Sequence, residues 1–251
     1  MIPVLETPFA MKEWRSHVKG SVGFVPTMGA LHAGHEELLK RAREENDHVV
    51  LSIFVNPTQF NDANDLAKYP KTWDQDLAIA NNNGVSAIFY PKYADMYPDN
   101  YRYKMTEHEY SMLLDGAHRP GHFDGVLSVV MKLFNIVSPS RAYFGEKDFQ
   151  QMTLVKGMVE SYFMNLEVVP VPTVREVDGL AMSSRNTRLT PEHRQKAPAI
   201  YKAITQSTSA EQAAKTLTDQ GFDVDYVTDI GNRRYVAAKL GEVRLIDNVK
   251  I

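Results

Sequence analysis

Short β-rich runs alternate with helical stretches through the first 175 residues, and this order limits the fold more than any other feature of the sequence. The β-rich runs are residues 22–26, 48–55, 87–90, 142–144 and 166–174. The second run, HVVLSIFV, is almost continuously apolar, as is typical of a parallel strand covered on both faces. The helical stretches between them are residues 34–46, 73–83, 124–137 and 148–162. This alternation predicts an α/β protein with helices on both faces of a parallel sheet.

Beyond about residue 177 the order changes to helices followed by short strands. Thr190-Pro191-Glu192 is typical of a helix start, because threonine can cap a helix and proline suits its first turn. We expect helices over residues 191–206 and 209–220, and strands over residues 225–229, 235–240 and 242–246. The predicted architecture is a Rossmann-like doubly wound parallel sheet over residues 1–176, followed by a smaller C-terminal α+β domain over residues 177–251.

Composition excludes several classes of protein. The 251 residues include no cysteine, which excludes disulfide frameworks, thiolate metal sites and a cysteine nucleophile. The 28 basic and 31 acidic residues give a net charge of −3, so nothing in the overall charge favours nucleic acid. No apolar run approaches the ~20 residues of a membrane helix, and the N-terminus lacks a signal-peptide pattern. We expect a soluble cytoplasmic protein that binds neither nucleic acid nor membranes.

The segment PTMGALHAGH, residues 26–35, lies where the first predicted strand ends and the first predicted helix begins. In open α/β sheets, ligands bind beyond the carboxyl ends of the strands. A helix start at that edge offers N–H groups and the positive end of a dipole to phosphate. His32 and His35 are three residues apart, so they share a face of the first turn and could donate to phosphate or protonate a leaving oxygen. A metal-binding pair, or two surface histidines beside a turn glycine, is the alternative.

This segment resembles the HxGH motif of the nucleotidylyltransferase-like superfamily and, more narrowly, the corresponding block of the pantoate–β-alanine ligase (pantothenate synthetase) family. Further blocks agree in order along the chain: SIFVNPTQF (52–60), Tyr69-Pro70, RPGHFDG (119–125), FGEKDFQQ (144–151), GLAMSSRN (179–186) and LIDN (245–248). The resemblance implies ATP-dependent joining of D-pantoate to β-alanine in pantothenate biosynthesis. It further implies a pantoyl-adenylate intermediate, Mg²⁺, release of AMP and diphosphate, a homodimer, and a C-terminal domain that acts as a lid.

The resemblance also assigns roles to individual residues. His35 takes the proton-donor position and, with His32, Lys147 and Arg185, forms the expected catalytic set. The positions expected to contact ATP are Met28, Gly29, Ala30, Leu31, His32, Ala33, Gly34, His35, Gly145, Glu146, Lys147, Asp148, Val174, Met182, Ser183, Ser184 and Arg185. The positions expected to contact pantoate or β-alanine are Asn56, Gln59 and Gln151. No metal ligand is assigned, although Asp76 is a possible carboxylate on the metal side.

The same short motifs also have purely structural interpretations. Residues 56–58 (NPT) could form a simple turn, and residues 145–148 (GEKD) could be a helix start capped by Asp148. Residues 183–185 (SSR) could lie in a solvated loop. Tyr69, Arg119 and His122 match positions near the family's site, but a surface role explains each equally well.

Two rival functions use the same fold. Another HxGH nucleotidylyltransferase would share the two histidines but has no need for the glutamines of residues 52–60 and 144–151. A non-catalytic nucleotide-binding regulator predicts the loss of His35, Lys147 or Arg185, and all three are present.

Overall fold

The computed structural model describes residues 2–251, which divide into two compact units. The first unit runs to Gly145 and includes Gln150–Val171, and the second comprises Glu146–Phe149 and Pro172–Ile251. The strands are β1 (Val4–Leu5), β2 (Val22–Thr27), β3 (His48–Ile53), β4 (Ala87–Phe89), β5 (Arg141–Gly145), β6 (Glu167–Val171), β7 (Asp223–Ile230), β8 (Arg233–Leu240) and β9 (Val243–Lys250).

The helices follow the same chain order. They are α1 (Pro8–His17), α2 (Ala33–Glu45), α3 (Ala63–Ala67), α4 (Trp73–Asn82), α5 (Tyr93–Met96), α6 (Asp115–His118), α7 (His122–Val137), α8 (Phe149–Ser161), α9 (Pro191–Lys196), α10 (Ala199–Gln206) and α11 (Ala210–Asp219). Short 3₁₀ helices occur at Pro57–Gln59, Tyr110–Met112, Glu146–Asp148 and Ser184–Arg188. Within residues 2–251, no helix is both long and apolar enough to span a membrane.

The first unit is built on a six-stranded sheet in the order β1-β4-β3-β2-β5-β6, and its strand pairs are parallel. From β2 the chain adds β3 and then β4 on one side, and it later adds β5 and β6 on the other side. The strand order therefore reverses between β2 and β5, which is the position where doubly wound sheets bind ligands. The predicted doubly wound fold is confirmed.

The central strands are buried on both faces, which explains their apolar sequences. Phe24, Leu51 and Ile88 have no exposed surface. The helix α7 is also buried on nearly every side, and it contacts β2, α1 and the 3₁₀ turn Pro57–Gln59. Burial of this kind is the main stabilising contribution in a domain of this size.

The second unit contains a three-stranded antiparallel sheet, β7-β8-β9, whose buried face packs with α10 and α11. The predicted α+β character is therefore confirmed. The single predicted helix over residues 191–206 is wrong, because α9 ends at Lys196 and α10 begins at Ala199. Pro198 lies at the break, where a proline has no backbone N–H to continue a helix. The element pair β1 and α1 was not predicted.

Candidate active site

The turn between β2 and α2 is shaped by two residues with left-handed backbone conformations. Gly29 has φ +82° and Ala30 has φ +52°. A side chain at Gly29 would place its Cβ 3.0 Å from Asp76 Oδ2 and 3.1 Å from the Ile53 side chain. Glycine is thus required at residue 29 both for its φ and for space. The non-glycine left-handed residue beside it is the kind of strain that surrounding contacts must hold in place.

Asp76 supplies those contacts from the first turn of α4. Its side chain is almost fully buried, accepting from Ala30 N–H at 3.0 Å and from Leu31 N–H at 2.8 Å. The Thr72 hydroxyl donates to Asp76 Oδ1, the oxygen that also accepts from Leu31 N–H, at 3.0 Å. Both carboxylate oxygens therefore bind the protein's own donors. The sequence pointed to Asp76 only as a possible carboxylate near a metal, because contacts between residues 46 positions apart leave no local pattern.

We expect Asp76→Asn to lower the free energy of unfolding by about 1–3 kcal/mol, because the amide NH₂ would face a backbone N–H in place of an acceptor. The same change should raise the KM for ATP by loosening the turn of Gly29 and Ala30. Urea denaturation and steady-state kinetics measure the two effects. Asp74→Asn, an exposed substitution in the same helical turn, is the control. Equal stability and equal KM in the two variants would contradict this role of Asp76.

The two histidines of the HxGH motif are fixed by contacts with the start of α2. His32 is the N-cap residue, and its Nδ1 accepts from Gly34 N–H at 3.1 Å. The His32 N–H in turn donates to His35 Nδ1 at 3.3 Å. The two rings lie 4.1 Å apart between centroids, and both side chains are half-buried. The sequence predicted this shared face, and the structure shows it.

These contacts decide which ring nitrogen carries the proton. A nitrogen that accepts a hydrogen bond has no proton of its own, so each neutral imidazole is protonated at Nε2. The Gly34 and His35 N–H groups are directed to His32 Nδ1 and to the His32 carbonyl, the latter at 2.7 Å. The sequence predicted free backbone N–H groups at this helix start, but those of Gly34 and His35 are already bonded to His32. When neutral, His32 and His35 can each donate a side-chain hydrogen bond only from Nε2.

The segment after β3 holds Asn56 and Gln59 close together on the 3₁₀ turn Pro57–Gln59. Asn56 is buried and donates to Gln59 Oε1 at 3.1 Å. Gly125 of α7 lies directly against this turn, since a Cβ there would meet the Thr58 carbonyl oxygen at 2.4 Å. The interpretation of Asn-Pro-Thr as a turn is thus correct. The same turn places the Gln59 side chain beside Asn56.

Two residues support the same turn: Arg119, which follows α6, and His122, the first residue of α7. Arg119 donates to the Gln59 carbonyl at 3.2 Å, and His122 Nδ1 contacts that carbonyl at 2.8 Å. Because a carbonyl only accepts, His122 carries its proton on Nδ1. Arg119 and His122 therefore contact the Gln59 backbone, and His122 is buried. Tyr69 is buried too and packs edge-on against Phe60, so none of these three has the surface role considered from sequence.

Gln151 lies half-buried in the first turn of α8. Its neighbour Gln150 is buried and braces the segment before α7, accepting from Asp115 N–H at 3.1 Å. Gln150 also donates to the carbonyls of Tyr110 and Leu113 at 2.8 Å each. The two adjacent glutamines therefore differ in function: Gln150 is structural, and Gln151 has no hydrogen bond to another described side chain.

In the second unit, the segment Glu146–Asp148 is a 3₁₀ turn that is held from β9. Asn248 Nδ2 donates to the carbonyls of Glu146 and Lys147, both at 2.9 Å. The Lys147 side chain is 18% exposed, and its Nζ lies 3.8 Å from the Asp148 carboxylate. The Asp148 carboxylate makes this contact with Lys147. Within residues 2–251 it caps no helix. Asn248 has a supporting function that the matching LIDN block signalled without showing what it does.

Replacing Asn248 with alanine is expected to cost about 1–3 kcal/mol of unfolding free energy, because two carbonyls lose their donor in a buried setting. The KM for ATP should rise in parallel if Lys147 contacts the nucleotide. Thermal or urea denaturation and ATP titrations provide the two readings. Asn232→Ala, in the exposed turn between β7 and β8, serves as the matched change. A variant as stable as Asn232→Ala, with an unaltered KM, would refute the bracing role.

Residues 182–185 form the other cluster of the second unit. The Ser183 hydroxyl accepts from Arg185 N–H at 3.3 Å and so caps the short 3₁₀ helix Ser184–Arg188. The Val174 carbonyl accepts from Met182 N–H at 3.0 Å, which ties this segment to the end of the preceding loop. Met182, Ser183, Ser184 and Arg185 are all half-buried, so the segment is not the fully solvated loop considered from sequence.

Comparison with known proteins gives a family. The sequence profile described as pantoate-beta-alanine ligase matches residues 3–250. The chain belongs to the pantoate–β-alanine ligase family. It is 74% identical to pantothenate synthetase of Bdellovibrio bacteriovorus over 251 residues, which cover 100% of both chains. It is 50% identical to the Legionella pneumophila protein of the same name over 228 residues, covering 91% of this chain and 90% of that one.

Solved structures of the family have the same fold. The Francisella tularensis ligase, crystallised with "Beta-gamma ATP" and β-alanine, matches with a TM-score of 0.96 and 39% identity, covering 100% of this chain and 98% of its own. Pantothenate synthetase from Thermus thermophilus matches with a TM-score of 0.91 and 41% identity, covering 99% of each chain. The family predicted from the ordered sequence blocks is therefore confirmed.

Proposed function

We propose that this chain joins D-pantoate to β-alanine at the expense of ATP, releasing AMP and diphosphate and forming pantothenate through a pantoyl-adenylate intermediate. The observation that carries the proposal is the fixed pair of Nε2–H donors, His32 and His35, beside the β2/β5 switch point of a chain similar over its whole length to the Francisella ligase. That relative's structure is described as a complex with an ATP compound and β-alanine.

The proposed reaction has two steps. A carboxylate oxygen of pantoate attacks the α-phosphorus of ATP, the bond from that phosphorus to the bridging oxygen breaks, and diphosphate leaves. The amine of β-alanine then attacks the acyl carbon of the adenylate, loses a proton, and expels AMP. The first step needs stabilisation of charge on the triphosphate. The second needs two small substrates held together and protected from water, because acyl adenylates hydrolyse.

The roles proposed for the residues follow this chemistry. The imidazoles of His32 and His35 donate to phosphate oxygens from Nε2, and His35 supplies a proton or hydrogen bond to the leaving diphosphate. Lys147 and Arg185 add positive charge on the phosphates, and the Arg185 guanidinium suits phosphate oxygens. Gln59 and Gln151 bind the oxygens of pantoate, because amides both donate and accept. The remaining predicted positions, from Met28 to Gly34, from Gly145 to Asp148, and at Val174, Met182, Ser183 and Ser184, line the nucleotide.

We propose that Mg²⁺ binds together with ATP. Within residues 2–251, no group of three or more acidic or histidine side chains could hold a metal. Asp76, the carboxylate considered for this role, gives both oxygens to protein donors. The described residues therefore contain no set of three protein ligands for Mg²⁺, and the roles proposed for the side chains do not depend on one. Mg²⁺ commonly binds through substrate phosphates and water.

We further propose three properties on the basis of the resemblance. The protein is a homodimer, it works in the cytoplasm, where its substrate ATP is plentiful, and residues 177–251 act as a lid over a catalytic domain of residues 1–176. Light scattering coupled to size-exclusion chromatography tests the dimer. Hydrogen exchange with and without ATP and pantoate tests the lid.

Pantoate-dependent exchange of labelled pyrophosphate into ATP tests the reaction itself. With Mg²⁺ and without β-alanine, exchange would establish a reversible adenylate step. No exchange, combined with full product formation once β-alanine is added, would mean that diphosphate release is gated or that the adenylate does not form freely, and it would leave the ligation in place. The absence of both would reject pantoate as the substrate and favour the alternative, another HxGH nucleotidylyltransferase.

A further inference from the structure

The amide of Asn56 is saturated by protein groups. Its side chain is only 1% exposed. Nδ2 donates to the Gly125 carbonyl at 3.2 Å and to Gln59 Oε1 at 3.1 Å. Oδ1 accepts from the hydroxyls of Thr58 and Tyr97, both at 2.9 Å. All four hydrogen-bonding positions of the amide are thus used, and Asn56 has none left for a substrate.

The direction of this amide is set by groups whose hydrogen-bonding character is fixed. The Gly125 carbonyl only accepts, so the Asn56 atom beside it must be the nitrogen. On the other side, burial raises the pKa of Tyr97 to about 12, so its hydroxyl keeps a proton to donate at all ordinary pH values. Reversing the amide would place its oxygen against the Gly125 carbonyl, acceptor against acceptor, and leave buried groups unpaired.

The Tyr97 hydroxyl lies 2.9 Å from Asn56 Oδ1 and 3.3 Å from the Thr58 hydroxyl, and the position of its ring is fixed by packing. Its side chain is 1% exposed, and its ring packs between those of Phe54, Tyr93 and Tyr101 at centroid distances of 6.4, 5.0 and 5.4 Å. The ammonium group of Lys132 lies 5.1 Å from the centroid of the Tyr97 ring. These contacts fix the ring, and the shorter hydroxyl contact directs the Tyr97 proton to Asn56 Oδ1, to which the Thr58 hydroxyl also donates.

The direction of Asn56 fixes the direction of Gln59 in turn. Because Asn56 Nδ2 donates to Gln59 Oε1, the Gln59 nitrogen must point away from Asn56. Gln59 is half-buried, and no group in residues 2–251 accepts a hydrogen bond from its Nε2. The side chain therefore offers two N–H groups to whatever binds beside it.

We propose that Tyr97 is a positioning residue that acts through Asn56 to make Gln59 a hydrogen-bond donor to the substrate. A substrate that binds beside Gln59 must then offer an acceptor there, such as a carboxylate or hydroxyl oxygen of a hydroxy acid. This inference rests on the proposed function, since it takes pantoate as the molecule that Gln59 binds. Tyr97 itself touches no substrate, so its effect must pass through Gln59.

The test is Tyr97→Phe, which keeps the ring and removes one donor. We expect the KM for pantoate to rise about tenfold, with kcat and the KM for ATP nearly unchanged. In a Gln59→Ala background, the same substitution should have no further effect on the KM for pantoate. Tyr143→Phe is the matched control, because Tyr143 is another fully buried tyrosine whose pKa burial raises to about 12, and its hydroxyl contacts Glu45 and Asn46.

The outcomes separate this inference from the proposed function. An active enzyme in which Tyr97→Phe has the same pantoate KM as Tyr143→Phe would overturn it, as would a full effect that persists without Gln59. If the wild type performs no ligation, the proposed function fails, and NMR of the Asn56 side-chain amide protons decides the positioning role alone. Slow solvent exchange that speeds up in Tyr97→Phe supports the role, and fast exchange in the wild type excludes it.

Discussion

Replacing His35 with alanine is expected to slow pantoate-dependent ATP–pyrophosphate exchange by about 10²–10⁴-fold, the range typical for loss of a positioned proton donor. The expectation follows from the tautomer that the backbone imposes. With Nδ1 engaged by the His32 N–H, the only ring proton of neutral His35 is on Nε2. Alanine removes that donor from the edge of the sheet where charge develops on the leaving diphosphate.

A matched control exists at the other end of the same sheet. His48 is also half-buried, but it begins β3 at the amino edge, and its Nε2 contacts the Lys19 carbonyl at 3.0 Å. His48→Ala should therefore affect stability without affecting exchange. His35→Asn, whose amide can donate from a similar position, should retain more activity than His35→Ala. Exchange in His35→Ala within threefold of the wild type would rule out His35 as the proton donor.

His32 should behave differently from His35 because its ring also caps α2. Its Nδ1 accepts from Gly34 N–H, so His32→Ala loses both a phosphate donor and an N-cap. The cap contributes about 1 kcal/mol to helix stability. Asn at residue 32 can replace the cap but not the imidazole Nε2–H. Comparing the two variants at residue 32 therefore separates the structural part of this histidine's effect from the catalytic part.

Local sequence pattern predicted the elements well, for a physical reason. Buried parallel strands such as β3 need apolar residues on both faces, and α2 needs apolar residues at helical spacing. Both requirements are visible within a dozen residues. The prediction of one helix over residues 191–206 did not take account of Pro198, whose ring and missing N–H interrupt the helical pattern. Very short elements such as β1 carry too few residues to show any period.

The contacts that hold the site could not be predicted in the same way. Asp76 meets Ala30 across 46 positions, Tyr97 meets Asn56 across 41, and Asn248 meets Glu146 across 102. Each is a hydrogen bond between elements that meet only in the folded chain. Sequence identified Asn56 as a candidate contact for substrate, whereas the structure directs its whole amide to protein groups and leaves the Gln59 nitrogen without an acceptor in residues 2–251. The assignment of substrate contacts therefore depends on packing behind the site.

Lys147→Ala is expected to lower kcat/KM for ATP by about 10²–10³-fold, comparable to the loss of one strong electrostatic donor from an active site. The Lys147 side chain is mostly shielded from solvent, and the Asp148 carboxylate, 3.8 Å from its Nζ, is half-exposed. An ion pair of that length at a partly exposed site is weak. Asp148 therefore offsets little of the positive charge that Lys147 can offer to a nucleotide phosphate.

The backbone of residue 147 makes this variant informative. Asn248 holds the carbonyls of Glu146 and Lys147, so removing the side chain should leave the turn in place. A loss of activity at unchanged melting temperature would then report the charge itself. Lys147→Arg should recover part of the rate, since it keeps the charge with a different shape. Lys156→Ala, on the exposed face of α8, controls for loss of one positive charge from the protein. If Lys147→Ala and Lys156→Ala give the same kcat/KM for ATP, Lys147 does not contact the nucleotide, and Arg185 becomes the remaining candidate for the cation on the phosphates.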